Sequence, residues 1–292
     1  MNDRRLLPAP VLAVVAIVSV QFGNAFAGSF FAQVGPLGAA ALRLAFGALI
    51  LAAVVRPRLR GWDARTWLGV VLLGVALAGM NSLIYLAIAE IPIGVAVTVE
   101  LFGPLAVAAA GIRRPVDALW VLLAVSGVAL LGAEAGGALS PVGLLLAAGA
   151  AAFWALYIVT SSRLGPRVRG VDGLSAAMLV AAVIVVPLGA VPATDAVLDA
   201  PWLLAVFAGV ALLTSAIPYA LEFTALKTMS SRVFGVLSSL GPAMAALAGL
   251  TLLHQVLTVP QLAAIALVTA ASVGVVATAR RTAAPPLPEA MP

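Results

Sequence analysis

Two charged residues stand where nearly everything around them is apolar. Glu100 lies in IPIGVAVTVELFGPLAVAAAGIRR (Ile91–Arg114), with no positive neighbour in the run until Arg113, and Arg43 lies in ALRLAFGALIL (Ala41–Leu51). A charge held at bilayer depth costs roughly 2.5 to 3.5 kcal/mol even on insertion scales, so such residues mark pathways for ions or substrates. A deep carboxylate can hold a proton or an ammonium. A guanidinium can fork onto a substrate carboxylate or pair with Glu100 across a bundle. A second role is equally open to Arg43: snorkelling outward, or bonding helix carbonyls and fixing helix positions. Gly103 and Pro104 follow Glu100 on the same helical face. Proline removes a backbone hydrogen bond, and broken backbone survives at membrane depth only inside protein or beside a wet cavity. Glu100 is therefore expected at the floor of a substrate site, with Gly103-Pro104 as a pliable point.

Other polar side chains fall at helical spacing. Asn81 and Tyr85 share one face, as do Gln21 and Asn24, while Ser215, Tyr219 and Glu222 form a row interrupted by Pro218. Trp154 and Tyr157 sit together, and Ser238-Ser239 precede Gly241-Pro242. Singly, such groups join helices through bonds worth about 0.6 kcal/mol. Jointly they place polar groups at similar depth on at least six spans, as a central cavity needs. Glu222 is expected nearer the cytoplasmic end, reaching water or pairing with Lys227 or Arg232.

Several chemistries are excluded. The chain has no cysteine and a single histidine, His254, so neither thiol chemistry nor a cysteine or histidine-cluster metal site is available. GxxxxGK[ST], HExxH and GxSxG are absent. No cofactor, no metal and no enzymatic activity are expected, and transport would run on ion or substrate gradients. Proton and substrate could compete for Glu100, which makes it the coupling residue. The net charge of +5 does not imply nucleic acid, because the basic residues are spread along the chain rather than gathered into a patch.

The elements that must position these residues are membrane spans. Of 292 residues, 63% are hydrophobic and only 9% charged, far from the roughly 25% charged of soluble domains. Stretches of about 20 apolar residues fall near Pro10–Phe30, Leu37–Val55, Trp67–Ala87, Ile93–Gly111, Val116–Gly132, Gly143–Ser161, Gly173–Val191, Trp202–Phe223, Val233–Leu253 and Gln261–Ala279. This predicts an all-α polytopic membrane protein with ten transmembrane helices. Arg4, Arg5, Arg56, Arg58, Arg60, Arg65, Arg113, Arg114, Arg163, Arg167, Arg169, Lys227, Arg232, Arg280 and Arg281 all fall on one side if both termini are cytoplasmic. The opposite loops carry Glu90, Glu134, Asp195 and Asp199 and no lysine or arginine. Ala25-Phe26-Ala27 imitates a cleavage site, but the apolar run before it exceeds a usual signal and cleavage would leave nine spans, so the first span is expected to stay. The proline- and alanine-rich tail 282–292 is expected to be disordered.

The halves echo each other. Gly74-Val-Ala-Leu77 recurs as Gly209-Val-Ala-Leu212, leading to Tyr85 and Tyr219, and Gly103-Pro104 recurs as Gly241-Pro242, at offsets of 135 and 138 residues. Five spans per half is odd, so the halves, 1–136 and 137–281, must be inverted in the membrane, an arrangement typical of secondary transporters with a midplane site. Gly241-Pro242 then matches Gly103-Pro104 as the second pliable point.

Six segments carry a resemblance: ALRLAFGALIL (Ala41–Leu51), GMNSLIYLAI (Gly79–Ile88), IPIGVAVTVELFGPLAVA (Ile91–Ala108), RRPVDALWVLLAV (Arg113–Val125), FWALYI (Phe153–Ile158) and SAIPYALEFTAL (Ser215–Leu226). They resemble the EamA-type transporters of the drug/metabolite transporter superfamily, and within it the bacterial exporters of threonine and homoserine of the Rht type. The resemblance implies a ten-helix, multi-pass carrier of the bacterial inner membrane, built as two inverted five-helix halves and exporting small amino acids on the proton motive force. It makes Arg43, Asn81, Tyr85, Glu100, Trp154, Tyr157 and Tyr219 the substrate-cavity candidates. Two positions depart from it: Gly241 stands where a glutamate is usual, and His254-Gln255 where Gly-Glu is usual. The expected partners are a small zwitterionic substrate, protons and lipid. The alternative is an efflux carrier for other metabolites or cationic drugs.

Overall fold

A computed structural model of the chain describes residues 8–110, 119–120, 122–123, 126–127, 130, 139–228, 234 and 237–280, and every regular element among them is helical. Most of the expected fifth span (Val116–Gly132), the start of the ninth, the tail 282–292, Glu134, the boundary at 136/137 and Arg4, Arg5, Arg113, Arg114, Arg232 and Arg281 lie outside the described residues.

Prolines and glycines set where the helices start, bend and stop. α1 (Ala9–Gly28) begins after Pro8, where a missing N–H costs nothing. α2 (Phe31–Val55) is kinked at Gly35, whose φ of 66° suits glycine, just before Pro36. α3 (Ala64–Glu90) is capped by Asp63, which accepts the Thr66 N–H, and runs out before Pro92. The next apolar stretch is split into α4 (Ile93–Glu100) and α5 (Phe102–Ala109), so the break falls beside Glu100. α6 (Pro141–Leu164) is capped by Ser140. α7 (Asp172–Asp199) carries Pro187 and Pro192. α8 (Leu203–Ala211) passes through a π-helical turn, Leu212–Ala216, into α9 (Ile217–Thr228). α10 (Gly241–Leu252) and α11 (Val259–Arg280) complete the described chain.

α1, α2, α3, α6, α7 and the α8–α9 rod are long and apolar enough to cross a membrane, and α4–α5, α10 and α11 hold shorter apolar stretches. Their outer faces present Leu49, Leu145, Val183 and Val191, as a lipid-facing bundle does. Inward, small residues bring backbones together. A Cβ on Gly189 of α7 would stand 2.2 Å from the Leu37 carbonyl oxygen of α2, and one on Gly79 of α3 would stand 2.6 Å from the Phe153 ring of α6. The main pairings are α2 with α7, α3 with α6 and α7, α1 with α9 and α10, and α4 with α6 and α10. α1, α3, α4, α6 and α9 thereby converge on the middle of the bundle.

Candidate functional site

A cavity of about 40 Å³ sits at that convergence. Its polar wall is made by Gln21 and Asn24 of α1, Arg43 of α2, Asn81 of α3, Glu100 of α4, Trp154 of α6, and Tyr219 and Glu222 of α9. A free volume of about 40 Å³ has room for roughly two or three water-sized molecules and is too small for a whole amino acid.

Arg43 is 1% exposed and gives all five of its N–H groups to the protein. Nε donates to Ser215 Oγ at 2.8 Å, and Nη1 donates to Asn24 Oδ1 at 2.6 Å and Tyr85 OH at 2.9 Å. Nη2 donates to the Thr214 carbonyl and to Tyr219 OH, both at 2.9 Å. The guanidinium also lies 5.1 Å from the Tyr85 ring centre and 5.9 Å from that of Tyr219. Local sequence explains the carbonyl: Pro218, four residues after Thr214, has no N–H to bond it. Tyr219 OH in turn donates to Asn81 Oδ1 at 2.9 Å, and Asn81 Nδ2 to the Leu77 carbonyl at 2.7 Å. In this geometry Arg43 ties α2 to α1, α3, α9 and the π-helical turn. No N–H is left to fork onto a substrate carboxylate, and Arg43 forms no ion pair with Glu100 among the described residues.

Glu100 is the opposite case. It ends α4, is 7% exposed and borders the cavity, yet its carboxyl has no hydrogen-bond or ion-pair partner among the described residues. Pro104 leaves the backbone carbonyl of Glu100 without its usual N–H, by the same logic as Pro218 and Thr214.

Glu222 corrects the expectation of a cytoplasmic acid reaching water or Lys227. It is 4% exposed, borders the cavity and accepts the Tyr157 hydroxyl at 3.2 Å. Lys227 instead donates to the carbonyls of Val168 and Gly170. The reason is angular: three residues on from Tyr219 is the same helix face, whereas five residues on from Glu222 is well round the helix. Glu222 is thus a second acid in the cavity wall beside Glu100.

Arg43, Asn81, Glu100, Trp154 and Tyr219 border the cavity, and Tyr85 and Tyr157 do not. They reach it only through Arg43 and Glu222. Gly103 packs against α6, where a Cβ would stand 2.2 Å from the Ala151 carbonyl oxygen, whereas a Cβ on Gly241 would have ordinary 3.5 Å contacts with Gln21 and Val97. Gln255 lies elsewhere and accepts the Ile93 N–H at 3.1 Å, at the start of α4. Gln21 and Asn24, of which only the spacing stands out in the sequence, also line the cavity, and Ser215 reaches it through Arg43. Thr214 was missed, and its signal was Pro218 four residues later.

The model of the EamA-like transporter family matches residues 141–277. The chain is 43% identical over 287 residues to the threonine/homoserine exporter RhtA of Salmonella typhimurium, covering 96% of each protein. It is 42% identical over 275 residues to the threonine/homoserine exporter RhtA of Escherichia coli, covering 93% of this chain and 92% of the relative. A solved crystal structure is similar in fold, with a TM-score of 0.63 at 23% identity, covering 94% of this chain and 98% of that one.

Proposed function

The chain belongs to the EamA-like transporter family of the drug/metabolite transporter superfamily, and from that membership we propose that it exports small zwitterionic amino acids of the threonine and homoserine kind by proton antiport. The relatives at 42 and 43% identity are exporters with those substrates in their names. The observation that carries the mechanism is the carboxyl of Glu100, which borders a buried cavity and has no partner among the described residues. A substrate ammonium and a proton compete for it, so that binding one releases the other. Glu222 is the second acid within the same wall, and the N–H groups of Asn81 and Trp154 suit the substrate carboxylate. Arg43 acts at one remove, holding Asn81 through Tyr219.

The ten-helix, inverted five-plus-five plan is part of this reading. Exchanging each expected span for the one five further on turns the α3–α6 contact into the contact of α9 with α1. The same exchange turns α4–α6 into α10–α1, and returns α2–α7 and α4–α10 to themselves; all of these pairings occur. The family match at 141–277 falls within the second half, 137–281. Rocking of the halves about Glu100, with Gly103-Pro104 and Gly241-Pro242 as pliable points, would widen a cavity of about 40 Å³ enough to admit an amino acid. Arg65, Arg163 and Arg167 border one groove at one end of the bundle, while Glu90 and Ser140 meet at a different loop, between α3 and α4. That separation favours an inner-membrane orientation with both termini cytoplasmic.

One observation favours the alternative of a cationic drug or metabolite: the cavity presents two carboxyls and an arginine with no spare N–H. Proteoliposomes with an imposed pH gradient, tested against a radiolabelled amino-acid panel and lipophilic cations, separate the two. Threonine or homoserine efflux driven by the gradient is expected. Glu100→Gln should abolish the pH dependence, and antiport surviving in that variant with its pH dependence intact would overturn the mechanism.

A further inference from the structure

Gln21 has a side-chain amide that the protein does not use. It lies on the cavity-facing side of α1, one turn before Asn24, and is 4% exposed. Its Oε1 is sealed from solvent with no hydrogen-bond donor, and among the described residues its Nε2 has no acceptor. Asn24, on the same face, is tied to Arg43. A buried amide oxygen without a donor is costly, and none of the described groups around the cavity donates to it. Arg43 has given away every N–H, and Asn81 and Tyr219 bond each other. Glu100 carries no donor when ionised.

The missing donor can come from the substrate. Of the three polar parts of a hydroxy amino acid, the carboxylate brings only acceptors and cannot satisfy Oε1, and the ammonium is drawn to the charge of Glu100. The side-chain hydroxyl remains, a neutral donor that suits a neutral amide and that can also accept from Nε2. We propose that Gln21 reads the side-chain hydroxyl and is the residue by which this carrier prefers hydroxy amino acids over their aliphatic counterparts. The proposal rests on the reading of the cavity as an amino-acid site. An isosteric methyl in place of the hydroxyl leaves Oε1 buried and unpaired, and a hydrogen-bonding site rejects such an analogue more strongly than a greasy pocket rejects an added hydroxyl.

The experiment uses the full chain in proteoliposomes loaded with radiolabelled threonine, with unlabelled threonine or valine as competitor. The wild type is expected to favour threonine by about tenfold or more. In Gln21→Leu the preference should fall to within about twofold of parity, because valine no longer strands an acceptor. Gln21→Met, of similar length and with no amide, gives the same readout if the leucine variant does not fold. Retention of the wild-type ratio in either folded variant overturns the proposal. Loss of both substrates in both folded variants also overturns it, since Gln21 would then be holding the head group. A wild type that carries threonine and valine equally overturns it while leaving amino-acid export standing. A wild type that carries no amino acid removes the reading of the cavity instead.

Discussion

The Arg43 region and the Glu100 region meet the same problem in opposite ways. Each puts a charged group in an apolar interior, and the two border one cavity. Around Arg43, five acceptors from α1, α2's neighbours α3 and α9, and the π turn close round five donors. Around Glu100 the described residues provide no partner. A saturated charge is a fastener: its bonds are already made, so a ligand could only take them by breaking others. An unsaturated one is a site, because its best partner arrives from outside. The difference shows that depth in the membrane marks a charge as important without saying which kind of importance it has.

The sharpest way to break this comparison is Arg43→Leu. It leaves Asn24, Tyr85, Tyr219, Ser215 and the Thr214 carbonyl without their donor, and a loss of ~3 to 5 kcal/mol in unfolding stability is expected. Arg43→Lys should recover only part of it, since an ammonium has three donors on a different geometry. A leucine variant that unfolds like the parent but no longer binds substrate would move Arg43 into the same class as Glu100. Next comes Glu100→Gln, whose stability should be unchanged or raised, because it gives up no bond to the protein. Its affinity for an ammonium substrate should fall by about 30-fold or more, read by equilibrium binding. A large stability loss there would mean that Glu100 is a fastener after all.

Glu222 lies between the two extremes, with Tyr157 as its one partner among the described residues. Tyr157→Phe removes that partner and should cost about 1 kcal/mol in unfolding stability, while leaving a folded carrier whose second acid is as free as the first. A loss comparable to that of Arg43→Leu would place Glu222 with the fastened groups. The smallest effect belongs to a charge outside the bilayer. Hydrogen bonds from the Thr66 hydroxyl and then its backbone N–H hold the Asp63 carboxyl below its ordinary value. A depressed carboxylate contributes stability that is present above its unfolded value and is lost as pH falls through the lower folded one. Asp63→Ala should therefore slightly lower stability at neutral pH and flatten this part of the acid-side slope, measured by unfolding midpoints between neutral and acid pH. An unaltered slope would show that the cap carries no linkage.

What could be read from the sequence was whatever depends on composition, periodicity and local backbone chemistry. Apolar runs of spanning length, the depth of Glu100 and Arg43, the shared face of Tyr219 and Glu222, and the carbonyl freed by Pro218 all follow from neighbours within a few turns. The site itself was only partly legible. Which side chain takes the fifth donor of Arg43 depends on Ser215 and Tyr219, 172 and 176 residues away, and no local pattern encodes that meeting. Glu222 was misplaced because its depth along the rod was judged from chain position, whereas its facing is set by how α9 packs against α1 and α6. The sequence by itself determined that charge would be buried in a membrane bundle and roughly where. Only the tertiary structure decided which buried groups were already satisfied and which were left waiting, because saturation is a property of converging helices, not of any one of them.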